Sequence, residues 1–328
     1  MAFSLLAILM AIVGYNSFHK VQRGLAFVMV AMMLVLTVGL VAFMDLPERQ
    51  LTLQDFNLNA FLAQFFVAAA YQLSWAIYVS DYSRYLPADV SVRASFWWTY
   101  LGAMIGGVWM MLIGAAAAAL SPGQNLAAGL IMVGDMVFSG FGKTLVVVSV
   151  LILITSAAQN FYGASITLLS IIDTLKTQTS TLLKRILAML VVGSGAMLLA
   201  LLANENFVKE FGDFLAILLY LFTPWTAINL VDFYAVRHGK YSIKEIFNPN
   251  GIYGRWNWRG IGAYLVGFVA MLPFSNTGLY TGYFAEQLGG ADISMPIGLA
   301  VSALVYLGLC RSQNIASELN QVEAVSAQ

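Results

Sequence analysis

Few side chains in this sequence are equipped for acid–base or metal chemistry. There are two histidines, His19 and His238, both in charged segments between apolar runs, and one cysteine, Cys310. A lone cysteine excludes an internal disulfide and a cysteine-based metal cluster. No apolar run carries paired carboxylates, a His-x-x-x-His pair or a nucleophile beside a base, and Asp and Glu cluster near the ends of the runs. Enzymatic catalysis, a resident cofactor and a proton relay on buried acids therefore have little support. What remains is hydrogen bonding and stacking by polar and aromatic residues placed, at a cost, inside apolar segments.

Three segments hold such residues. Ser149, Ser156, Asn160, Gly163 and Thr167 are spaced 7, 4, 3 and 4 apart, which on a helix confines them to about 60° of its circumference. Thr155 and Gln159 widen this stripe to one side. The serines, Gly163 and Thr167 suit a close seam between helices. Asn160 differs, because a mid-span amide offers both donors and acceptors to a ligand. In the second segment, Gln72, Ser74 and Trp75 fall in mid-run, where a Trp is away from its usual interfacial belt. An indole there offers a flat face and one N–H donor, although plain core packing would also account for it. Asp81 and Arg84, three apart at the end of that run, fit a structural or gating ion pair. The third segment reads Thr223-Pro224-Trp225-Thr226, then Asn229 and Asp232, and Pro224 predicts a kink or a hinge. Gly102 and Gly106 add a small-xxx-small pattern suited to a helix contact.

The elements that position these residues follow from composition. The 328 residues are 60% hydrophobic and 10% charged, against about a quarter charged in soluble domains. The net charge is zero, so no global field draws the chain to nucleic acid. Apolar runs long enough for helices across a bilayer lie at Met1–Tyr15, Leu25–Met44, Phe61–Val79, Ser95–Leu120, Leu145–Ile172, Ile186–Leu202, Phe214–Val236, Ile261–Phe274 and Ile293–Cys310. The expected fold class is an all-α integral membrane protein with nine transmembrane helices, a single bundle over 1–311 and a polar, mobile cytoplasmic tail over 312–328. Of the 16 Lys and Arg, one alternate set of loops holds all but Arg49, Lys143 and Lys209. That bias predicts an N-terminus outside and a C-terminus in the cytoplasm. A tenth span at Leu126–Phe138 would destroy the bias, so this stretch reads as a short external or re-entrant helix. The first run is short and starts at full hydrophobicity with no basic region before it, so the chain is expected to lack N-terminal material.

The run Ser74-Trp75-Ala76 through Asp81-Tyr82-Ser83-Arg84-Tyr85-Leu86-Pro87 resembles a signature of the nucleobase–cation symporters, the purine and cytosine permease family. Gly14-Tyr15 with His19-Lys20-Val21-Gln22-Arg23, the stretch from Pro224 to Tyr234, and Tyr253-Gly254-Arg255-Trp256-Asn257-Trp258-Arg259-Gly260 resemble it too, in family order. The resemblance implies a leucine-transporter-like inverted-repeat fold of twelve helices, of which this chain would lack the first three. It implies cation-coupled import of a nucleobase such as cytosine or a purine, or a related heterocycle, with the lipid bilayer as surroundings and a bacterial inner membrane as location. By the same resemblance a broken helix falls on Gln72–Tyr78, its stacking tryptophan on Trp75 with Ser74 beside it, and a substrate-binding asparagine on Asn160. A Na+ site would use the Thr155 hydroxyl and the Leu151 carbonyl. Its second hydroxyl position falls on Ile154, with Ser156 adjacent but turned by about 100°, which leaves H+ coupling open beside Na+. Two rival readings are a transporter of the same fold for a different small solute and a non-transporting truncated remnant.

Overall fold

The computed structural model describes residues 2–13, 15–43, 56–79, 83, 86–87, 89–175, 179, 181–202 and 207–326. Their secondary structure is helical apart from an isolated antiparallel bridge between Asn276 and Thr281. The helices are α1 (Ala2–Val13), α2 (Tyr15–Phe43), α3 (Leu58–Ala76), α4 (Val92–Leu120), α5 (Leu126–Val137), α6 (Phe141–Leu175), α7 (Leu182–Leu202) and α8 (Phe207–Val231). A π turn (Asp232–Val236) extends α8. Then follow α9 (Ile243–Ile246), α10 (Trp258–Met271) with a 3-10 turn (Leu272–Phe274), α11 (Tyr283–Gln287), α12 (Ser294–Cys310) and α13 (Ile315–Ser326). Each of the nine expected apolar runs holds a helix. Among the described residues five helical stretches are, by length and apolarity, able to cross a membrane: Val21–Ala42, Val92–Leu120, Phe141–Asp173, Leu182–Leu202 and Glu210–Val236. Large apolar side chains face outward along them, such as Val41 at 81% and Trp98 at 78% exposure, as helices surrounded by lipid require.

The chain forms two compact units. The first comprises Met1–Asp55 and Ile105–Glu205. Within it α1, α6 and α7 meet over Ala7, Ala11, Ile154, Ala158 and Met189, while α2, α5, α6 and the second half of α4 enclose Leu36, Leu40, Ile113, Val133 and Leu145. Polar ties include Trp109 Nε1 donating to Thr37 Oγ1 at 2.9 Å, Gln22 Nε2 to Gln159 Oε1 at 3.3 Å and Arg185 Nη2 to the Tyr162 hydroxyl at 2.8 Å. Helix α5 has 12 residues and is about 18 Å long, too short to cross a bilayer, in line with the reading of Leu126–Phe138 as a short helix. Its Asp135 accepts a hydrogen bond from the Gly142 amide in the first turn of α6 at 2.9 Å. A side chain at Gly142 would overlap the Ile131 backbone, so this close approach requires glycine.

The second unit comprises Phe56–Met104 and Asn206–Gln328. Helix α3 packs on α8 through Phe66, Ala70 and Leu219. Helices α8, α10 and α12 pack closely, with Gly267 against Ser302 and Gly298 against Met271 and Thr223. At the end where α10 gives way to α12, Asp292 accepts from the Tyr220 hydroxyl, the Asn276 amide (2.9 Å) and the Ser294 hydroxyl (2.7 Å). The polar stretch expected to be an aperiodic tail is instead helical over Ile315–Ser326, and its Glu318 is only 7% exposed.

Candidate functional site

Regular hydrogen bonding in α3 ends at Ala76, and the Tyr78 amide turns back to the Trp75 carbonyl at 2.9 Å. This tightened last turn satisfies one of the carbonyls a helix end leaves open. The helix therefore stops inside Gln72–Tyr78, and Trp75 sits half-buried at its last turn. Ser74 donates to the Tyr71 carbonyl at 3.0 Å, and the Gln72 amide reaches the Ala103 carbonyl on α4 at 3.4 Å. Both polar neighbours of Trp75 are thus positioned by backbone groups. Asp81 and Arg84, expected as an ion pair just beyond, lie outside the described residues.

The polar stripe lies on α6. Its hydroxyls are largely absorbed by their own helix: Ser149 donates to the Leu145 carbonyl (2.8 Å), Thr155 to Ile152 (2.8 Å) and Thr167 to Gly163 (3.2 Å). Such back-bonding lets a hydroxyl sit in apolar surroundings without a partner helix. Thr155 is 2% exposed and, its donor spent, retains lone pairs that are what a cation needs. Leu151 is 43% exposed, and Ser156 is half-buried. Ile154, at the second hydroxyl position implied by the resemblance, is 7% exposed in the apolar core with Ala158 and Met189 and supplies no ligand. Asn160 is exposed, so the packing of α6 does not absorb its amide. Gln72, Ser74 and Trp75 belong to the unit containing α3, while Leu151, Thr155, Ser156 and Asn160 belong to the unit containing α6.

Two seam expectations need correction. Among the described residues, a side chain built at Gly163, Gly102 or Gly106 would meet nothing within 4 Å, so no described helix approaches closely there; the spacing alone names no partner. The tight contacts fall instead at Gly267 and Gly298. Pro224 is fully buried inside α8. One turn before it, the Leu221 carbonyl accepts from the Tyr264 hydroxyl of α10 at 3.0 Å, an outside donor where proline disturbs the ladder.

An ionic network just past α8 was not legible in the sequence. Arg237 is 6% exposed. Its Nε donates to Glu318 Oε1 at 2.6 Å and Nη2 to Oε2 at 3.4 Å, while Nη1 donates to Asp232. Asp232 also accepts from the Tyr241 and Tyr306 hydroxyls, each at 2.7 Å. Burial works against the Arg237 charge, but Glu318 and Asp232 outweigh it and hold its pKa above the ordinary value. Burial and the bond to Asp232 push the Tyr241 phenol up as well. The available signal was Asp232 and Arg237, five apart where an apolar run turns basic; nothing local pointed to Glu318, 81 residues on. Beside this network lies a cavity of about 630 Å³, lined by Tyr241, Tyr253, Trp256, Asn257, Trp258 and Arg259 among others.

Long apolar helices with outward-facing large side chains define the class of helical integral membrane proteins. Among the described residues no three His, Cys, Asp or Glu are grouped to hold a metal. The chain belongs to the family of permeases for cytosine/purines, uracil, thiamine and allantoin, which matches residues 1–298. It is a family of transporters, not enzymes. The chain is similar to YxlA of Bacillus subtilis, assigned to the purine-cytosine permeases: 33% identity over 311 residues, covering 94% of this chain and 67% of that protein. It is also similar to the purine-cytosine permease fcyB of Emericella nidulans, at 23% identity over 252 residues, 72% of this chain and 47% of that one. In fold it resembles Mhp1, a nucleobase-cation-symport-1 family transporter solved in a closed conformation with bromovinylhydantoin bound. That match has a TM-score of 0.60 at 15% identity and covers 98% of this chain and 69% of Mhp1.

Proposed function

We propose that this chain serves the import of a nucleobase such as cytosine or a purine, or a related heterocycle, by symport with a monovalent cation. The family match over residues 1–298 carries the reading. Trp75 stacks on one face of the planar base, with Ser74 and Gln72 beside it, and Asn160 addresses the base's edge of donors and acceptors. The exposed amide of Asn160 and the position of Trp75 at the end of α3 support these roles. The cation is held by the Thr155 hydroxyl and the Leu151 carbonyl, with Ser156 alongside. Ile154 leaves this set short of a hydroxyl, so a weak Na+ site and H+ coupling are the two forms it takes. Asp81 and Arg84 act as a gating pair, and Pro224 gives α8 a hinge for alternating access. The crowding of Lys and Arg into alternate loops supports a cytoplasmic C-terminus and an external N-terminus in a bacterial inner membrane.

The test is uptake of radiolabelled cytosine, adenine, uracil and allantoin by cells that lack their own nucleobase permeases and express the gene encoding this chain. Saturable uptake of at least one is expected, lost on removing Na+ or on adding a protonophore. No uptake of any of them, with the protein confirmed in the membrane, would overturn the assignment.

A further inference from the structure

The stretch from Arg237 to Arg259, which runs from just after the π turn into the first turn of α10, carries five basic residues, Arg237, Lys240, Lys244, Arg255 and Arg259, against one acid, Glu245. Arg237 is spent on Asp232 and Glu318, and Lys240 on Glu323 at 2.9 Å. Glu245 is turned to its own loop, accepting from the Ile252 amide at 3.2 Å and the Asn248 side chain at 3.3 Å. Among the described residues no carboxylate pairs with Lys244, Arg255 or Arg259. Arg259 is half-buried and lines the 630 Å³ cavity, whose inner wall is closed by Asp232 and Arg237. A volume of that size lies within the range of small-molecule sites, about 300–1,000 Å³.

The rim of this cavity is unlike a site for a soluble anion. Of its lining residues Trp256 and Trp258 are 61% and 70% exposed, with rings 6.0 Å apart, and Ile246 is 54% exposed; Ile243 and Phe247, near Ile246 in the chain, are 73% and 81% exposed. Water rejects bulky apolar side chains set among unpaired cations, whereas a bilayer interface accepts them, rings at headgroup depth and basic groups at the phosphates. A free phosphate would use the cations and leave the apolar rim without a role. A lipid uses both.

We propose that this segment and its cavity bind the headgroup of an anionic phospholipid, with Arg259 on the phosphate, Arg255 and Lys244 supporting it, and Trp256 and Trp258 at the glycerol and upper acyl region. The same loop belongs to the basic set expected at the cytoplasmic leaflet, where anionic lipids are concentrated.

The experiment uses the purified full chain in nanodiscs of phosphatidylcholine, with phosphatidylglycerol or further phosphatidylcholine carrying bromine on the upper acyl carbons as quencher of tryptophan fluorescence. Brominated phosphatidylglycerol is expected to quench more strongly at equal mole fraction, with a preference of about fivefold for each basic residue engaged. Trp256→Phe with Trp258→Phe should remove the preferential component. Arg259→Gln should reduce the preference while leaving quenching by phosphatidylcholine unchanged, and Arg259→Lys should largely keep it, which separates lost binding from lost folding. Equal quenching by the two lipids would overturn the proposal, as would a preference that Arg259→Gln leaves intact. Abolition of the preference by millimolar inorganic phosphate would also overturn it, in favour of a soluble anion.

Discussion

Replacing Trp75 by Ala removes the indole face at the last turn of α3, and replacing Asn160 by Ala would leave a polar edge of the proposed base unpaired. Each change should weaken substrate affinity by about 1–3 kcal/mol, read as the shift in Kd for the transported base with expression matched to the parent. Unchanged affinity in both variants would place the site elsewhere. Tyr241 yields a prediction about pH. Its pKa is raised by burial and by its bond to Asp232, so the stability it contributes is complete below about pH 10 and falls as the pH climbs from there towards the raised value. Ultraviolet titration should show phenols that ionise later than exposed tyrosines, and Tyr241→Phe should remove one phenol from that late step. Trp75 and Asn160 stand out in the sequence as candidates because a large indole and an amide inside apolar runs are costly and therefore conspicuous. The fate of the α6 hydroxyls was not, since side chains that bond to their own backbone, as Ser149 and Thr167 do, look in sequence like side chains waiting for a ligand.

Among the elements, α13 depends on Arg237. Arg237→Ala would leave Glu318 and Asp232 as uncompensated charges in a buried setting, a loss of about 3–5 kcal/mol, measured as denaturant stability of the purified protein. Arg237→Lys should rescue only part of it, because an ammonium lacks the fork that meets both oxygens of Glu318. Glycines give a paired test. Gly267→Ala should destabilise, since its side chain would overlap Ser302, whereas Gly163→Ala meets open space and should be neutral or stabilising by up to about 1 kcal/mol through helix propensity; thermal unfolding of the two variants distinguishes them. The apolar helices could be located from sequence because hydrocarbon tolerates no other backbone. Their ends were less certain: α2 starts at Tyr15, ten residues before the apolar run, because a helix continues through basic residues once it leaves lipid. Helix α13 is not conspicuous in the sequence because the partners of its Glu318 and Glu323 are distant in the chain, as is part of the apolar cluster that Ile315 packs against.

For the molecule as a whole, the proposed coupling to a monovalent cation would set how far import can proceed. A membrane potential of 100 mV supplies about 2.3 kcal/mol per charge, enough for roughly 50-fold accumulation, so dissipating the potential with an ionophore should collapse the steady-state level of labelled base towards equilibrium. An accumulation ratio indifferent to the potential would argue against charge coupling. The helical, membrane-embedded character was open to reading from composition alone, and the family from four short stretches in order. The division into two compact units was not, because it depends on which helices pack together rather than on how apolar each one is. The clasp between Arg237 and Glu318 also has a bearing on handling this protein. The polar residues after Arg311 look like the place to trim a chain for crystallisation or to hang a fluorescent reporter. A cut there would keep every apolar helix of the described residues and still take from the buried Arg237 guanidinium one of its two carboxylates, leaving Asp232 alone, so an apparently harmless truncation becomes a perturbation of the α8 terminus. Reporters are better placed in another exposed loop.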